Sequence, residues 1–170
     1  MAIALLTATA LALVGFVATS AVGFVLAGTH GAAAGPLVTR HVAFAIPTIL
    51  VSLFSQSMVI FYFIGTGKLV KEETESIPEA ERGVIHRALR RFKARTSPPA
   101  TFSLLLAIAV FVLGGGVHTS ALPSWTHLSA AILAAVTHAW AFVAEARVFA
   151  ENHRLMSDPR RYAREVGAPT

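Results

Sequence analysis

The sequence contains no cysteine. Disulfides, thiolate metal ligands, iron–sulfur clusters and thiol catalysis are therefore excluded, and any metal must be held by nitrogen, oxygen or methionine sulfur. Charge is also scarce: Asp, Glu, Lys and Arg make up 14% of the 170 residues, against about 25% in an ordinary soluble domain. Where charge is missing is more informative than how much there is. Three long apolar stretches, 2–28, 41–65 and 100–117, hold no Lys or Arg, and a fourth, 128–150, holds only Arg147. Residues 29–40 and 118–127 hold no Asp or Glu, so a histidine there has no local carboxylate to orient it and a Ser-His-Asp triad is excluded. No two carboxylates share an apolar stretch and none of these stretches contains Glu-x-x-His, which argues against glycosidase and di-iron carboxylate chemistry. Neither Gly114-Gly115-Gly116 nor Gly65-Thr66-Gly67-Lys68 has the rest of a phosphate-binding loop.

What is present is apolar: 55% of residues are hydrophobic, the composition of a membrane protein. A membrane-crossing helix needs about 20 mostly apolar residues. With the flanking turn signals included, the expected spans are 2–28, 37–66, 99–117 and 124–151. The first lacks the basic start and short apolar core of a cleaved signal and is read as a retained helix. The expected fold is all-α: one integral membrane domain, a four-helix bundle of two antiparallel helical hairpins, with a cytoplasmic amphipathic surface helix within 68–97 and a tail over 152–170.

The net charge of +5 is unevenly spread. Lys68, Lys71, Arg82, Arg87, Arg90, Arg91, Lys93 and Arg95 crowd the middle segment, and Arg154, Arg160, Arg161 and Arg164 the tail. The positive-inside rule then puts both termini and the middle segment in the cytoplasm, with the two short turns outside. A bacterial inner membrane is the expected location and the lipid bilayer the expected partner. Basic residues beside membrane spans serve topology, so they do not imply nucleic-acid binding.

Helix-packing signals recur along the chain. Gly15, Thr19, Gly23 and Ala27 form a small-residue stripe that admits a neighbouring backbone. Pro36 and Pro123 suit the first turns of helices 2 and 4, and Pro47 predicts a kink. Thr48, Ser52, Ser55 and Gln56 follow His41 near one face, which should turn away from lipid. Ser76 and Glu79 have the spacing of a capping box. From there Val84, Ile85, Ala88, Leu89 and Phe92 form an apolar face against arginines, expected to lie on the anionic inner leaflet. His86, among those arginines, is read as a solvated surface residue. Ser97-Pro98-Pro99 is expected to separate this helix from span 3.

The histidines carry the functional argument. His30, His41, His118 and His127 bracket the two outer turns, one near the outer end of each span. His127, His138, Glu145 and Asn152, spaced by 11, 7 and 7 residues, share one face of helix 4. Neutral imidazole suits haem iron, copper, zinc or non-haem iron. A bare dication would keep its charge in an outer face without carboxylates. A haem neutralises its ferrous iron and brings propionates, for which Arg40, Thr29, Thr39, Thr119, Ser120 and Thr126 are potential donors. Haem b is therefore the expected cofactor, with copper as the alternative. His41 and His127 are the expected axial or metal ligands, because both lie inside helices; His30 and His118, at helix ends, are second choice. In outline this plan resembles the four-helix membrane cytochromes b. That resemblance covers the four spans, rests on no diagnostic motif, and implies a haem held between histidines of two helices.

His138 has no second histidine at its depth and is expected to be a hydrogen-bonded core residue, with Ser52, Gln56 and Glu145 as companions in a buried polar stripe. The expected function is a small haem-binding electron-transfer subunit exchanging electrons with a quinone or a larger membrane complex. A cofactor-free structural or assembly subunit and a small metal-binding protein or transporter are the alternatives.

Overall fold

The computed structural model describes residues 1–29 and 34–167. It contains α1 (Ala2–Ala27), α2 (Ala34–Glu73), α3 (Glu79–His118), α4 (Ser124–Ser157) and the short α5 (Pro159–Gly167). The first four are each long and apolar enough to cross a membrane. α1 packs against α2 and α4, and α3 packs against the same two helices, so α2 and α4 face each other across the interior. Phe16, Ile49, Ala107, Val110 and Ala134, drawn from all four long helices, form one of two core clusters among the described residues.

The arrangement is inside-out relative to a soluble protein. Leu50, Phe54 and Phe61 of α2 are 61%, 62% and 64% exposed, while Ser52, Ser55 and Gln56 on the same helix are fully buried. In water this would strand apolar surface and desolvate polar groups; in lipid both are reversed. The small-residue stripe of α1 faces α2: Gly15 lies against Thr48, and Thr19 Oγ1 is 3.5 Å from Thr48 Oγ1.

α2 and α3 are each 40 residues long, about 60 Å at 1.5 Å per residue and twice the hydrocarbon thickness. The expected break at Ser97-Pro98-Pro99 does not occur. α3 runs through both prolines because one buried stripe spans them, Phe92, Thr96, Pro99, Ala100 and Ser103 at spacings of three and four. Packing on α2 and α4 offsets the loss of the two N–H groups and keeps the helix continuous. α2 likewise stays helical through Pro47, which lies on the exposed side, and through Gly65 and Gly67.

The amphipathic segment is therefore an extension of α3 and not a separate surface helix. Its apolar face is covered by protein: Ile85 and Phe92 are 0% and 1% exposed and belong to one cluster with Val70, Leu155, Tyr162 and Ala163. The cover comes from the ends of α2 and α4 and from α5, which Asp158 caps by accepting a hydrogen bond from Arg161 N at 2.9 Å. The expected capping box also differs: Pro78 is the N-cap of α3 and no side chain caps it. Glu79 and Glu81 in the first turn still complement the helix dipole.

Candidate functional site: a histidine pair across the helix interior

His41 and His127 meet between α2 and α4, with ring centres 6.0 Å apart and ring planes at 84°. Each ring is fixed by a neighbouring helix. His41 Nδ1 is 3.0 Å from the Thr19 carbonyl oxygen of α1, and His127 Nδ1 is 3.1 Å from the Val110 carbonyl oxygen of α3. A carbonyl oxygen only accepts, so both Nδ1 atoms carry the proton and donate. In the neutral rings, Nε2 then holds the lone pair. Neither Nε2 has a hydrogen-bond partner among the described residues.

A glycine seats each ring. Gly23 lies four residues beyond Thr19, and Gly114 four beyond Val110. A Cβ at Gly23 would sit 3.1 Å from His41 Cε1, and one at Gly114 would sit 3.1 Å from His127 Cε1. The two hairpins thus repeat one device: a histidine on the second helix, with a carbonyl and a side-chain-free residue one turn apart on the first. The carbonyls and glycines were not legible as site components, because nothing in the sequence ties position 19 or 110 to a histidine 22 or 17 residues away.

The other outer residues are not drawn in. His118 is exposed at the last position of α3, and Arg40 is exposed beside His41; neither has a hydrogen-bonding side-chain partner among the described residues. His30 lies outside the described residues. Among the described residues, no three His, Asp or Glu side chains come together as a metal-binding group. A cofactor here would rest on two imidazoles.

Further along the interior, His138 is fully buried and both its ring nitrogens are used. Nδ1 donates to the Ala134 carbonyl oxygen at 2.9 Å, so Nε2 accepts from the Ser52 hydroxyl. Phe16 packs on the ring at 4.5 Å between centres. The remaining members of the expected polar stripe, Gln56 and Glu145, are also fully buried, and both are linked to Thr9 of α1, a residue the sequence did not single out.

At the basic end, His86 is not the solvated residue expected. It is half-buried, with Nε2 enclosed and unpartnered. Burial pushes its ring below the usual histidine range, and the charges of Lys71, Arg82 and Arg90 push the same way. Arg91 and Arg95 reach Glu151 at 3.5 and 3.9 Å; such exposed pairs each contribute about 0–1 kcal/mol. No protein family, curated protein or solved structure matches the chain.

Proposed function

We propose that His41 and His127 are the two axial ligands of a b-type haem, and that the protein is a small membrane electron-transfer subunit. The observation that carries this reading is the pair itself: two imidazoles on facing helices, each with Nδ1 tied to a carbonyl and Nε2 left with its lone pair. Ligating histidines characteristically donate the other ring nitrogen to such an acceptor, which fixes tautomer and orientation. The ring centres are 6.0 Å apart, close enough that both side chains could hold one metal ion between them. Two ligands suffice for a porphyrin iron, whereas a structural dication generally needs four. A bound haem would supply one-electron transfer, His41 and His127 would hold it, and Arg40, Thr119, Ser120 and Thr126 are the donors at that end that could take its propionates. A quinone or a larger membrane complex is the proposed electron partner.

The same reading places the protein in a bacterial inner membrane, with the histidine end outside and the basic end and both termini in the cytoplasm. The asymmetry of Lys and Arg supports that orientation. The test is the visible absorption spectrum and metal content of protein purified from a haem-sufficient host. A Soret band that is lost in His41→Ala and His127→Ala is expected. Copper without haem would favour the alternative cofactor, and neither would leave a cofactor-free subunit.

A further inference from the structure

Glu145 is fully buried on α4, and the groups around it are short of protons. Its Oε2 is 3.0 Å from Thr9 Oγ1, while its Oε1 has no hydrogen-bond partner. Thr9 has a single hydroxyl proton, and the Leu5 carbonyl oxygen lies 3.1 Å from the same Oγ1. Two acceptors, Leu5 O and Glu145 Oε2, therefore compete for one donor. Gln56 Nε2, 3.4 Å from Thr9 Oγ1, donates to that oxygen and is the one other donor close to the carboxylate.

We propose that Glu145 is a proton-binding site in the membrane interior, with the proton carried on Oε2. With Oε2 protonated, the carboxylic acid donates to Thr9 Oγ1 and the threonine hydroxyl donates to Leu5 O. Thr9 Oγ1 then gives one hydrogen bond and receives two, which is its full capacity. With Oε2 ionised, a fully buried carboxylate would have Oε1 unpartnered and Oε2 sharing the Thr9 hydroxyl with Leu5 O, which leaves its charge poorly compensated.

No neighbouring group offsets that charge. α1 carries no side-chain charge, and its amino terminus is eight residues from Thr9, about 12 Å along the helix. On α2 the nearest titratable group is Tyr62, which accepts from Asn152. α3 has none between Arg95, which reaches Glu151, and His118. On α4 the nearest are His138, two turns away with both nitrogens engaged, and Arg147, which is exposed. A metal cation would need several oxygen ligands around it, whereas a proton needs only the hydrogen bond already in place. The inference does not depend on the haem.

The experiment is infrared spectroscopy of the full-length protein in lipid at neutral pH, comparing wild type with Glu145→Gln and with protein labelled with carboxyl-¹³C glutamate. The expected result is one protonated-carboxyl C=O band that vanishes in Glu145→Gln and shifts on labelling. It should lie at the high-frequency, unbonded end, because Oε1 accepts nothing, and it should move in Thr9→Val. The labelled wild type reports the band even if a variant fails to fold. Loss of a carboxylate band in Glu145→Gln, or no protonated-glutamate band in the labelled wild type, would overturn the proposal. A band that appears only when sodium is withdrawn would also overturn it, in favour of a cation site.

Discussion

His41 and His127 each commit one ring nitrogen to a backbone carbonyl and keep the other, whereas His138, on the same helix as His127, commits both. The difference lies in what faces each ring. At the histidine end the opposing group is another imidazole; at His138 it is the Ser52 hydroxyl, a donor that occupies the lone pair. Burial follows the same division, with the pair half-buried and His138 fully buried. A buried histidine with both nitrogens satisfied is a structural element. A pair with two lone pairs to spare can take a ligand, which is the reading proposed here.

The largest effect expected from this contrast is on cofactor content. His41→Ala or His127→Ala should lose most of the haem, while His138→Ala should retain it in whatever protein folds; pigment per protein in purified samples measures both. Equal losses at all three positions would erase the distinction.

The reverse holds for stability. His138→Ala removes a packed ring and orphans the Ser52 hydroxyl, and should cost roughly 2–4 kcal/mol. His127→Ala, in cofactor-free protein, should cost less, because its ring is only half-buried. Denaturant or thermal unfolding in a fixed detergent compares the two.

A smaller effect is expected at the glycines. Gly23→Ala and Gly114→Ala press a methyl group against a histidine ring, an overpacking of about 1–3 kcal/mol that should weaken haem retention roughly tenfold. Gly115→Ala is the internal control, since a Cβ there meets nothing within 4 Å. Competition for haem by an apo-acceptor protein gives the three retention rates. Indistinguishable rates would mean that the glycines do not set the rings.

The smallest effect concerns His86, whose ring is held below the usual histidine range mainly by burial. Below its unfolded value of about 6.5 the unfolded chain takes up a proton that the folded chain resists, so stability rises with pH through that region and is lost as the pH falls. His86→Gln should flatten that part of the stability–pH curve and leave haem content unchanged.

The features legible in the sequence were those carried by periodicity and local chemistry. The four apolar helices follow from run length, and the inward face of Ser52, Gln56, His138 and Glu145 follows from helical spacing. That His41 and His127 lie near each other agrees with the expectation that both sit inside helices 2 and 4 just past the two outer turns, at the same end of the four spans. What failed was local punctuation overruled by packing. Pro98 and Pro99 read as a break, yet the stripe from Phe92 to Ser103 continues through them. For the same reason Ile85 and Phe92, expected on the lipid surface, are covered by α5 and the ends of α2 and α4. Asp158-Pro159 marks the end of α4 in the sequence, and with Arg161 it is also an N-cap followed by a first-turn proline that starts α5, while Tyr162 and Val166 are one turn apart on one face. Thr9 had none, since a lone threonine in an apolar helix is indistinguishable from a packing residue until its partner across the interior is known.

The central claim, that one iron is held by both His41 and His127, is tested most directly by the electron paramagnetic resonance spectrum of the oxidised, haem-loaded protein. Two axial imidazoles predict a low-spin ferric signal in the wild type, giving way to a high-spin signal in whatever haem His41→Ala and His127→Ala retain. A high-spin wild type, or a low-spin signal unchanged by both substitutions, would contradict the assignment.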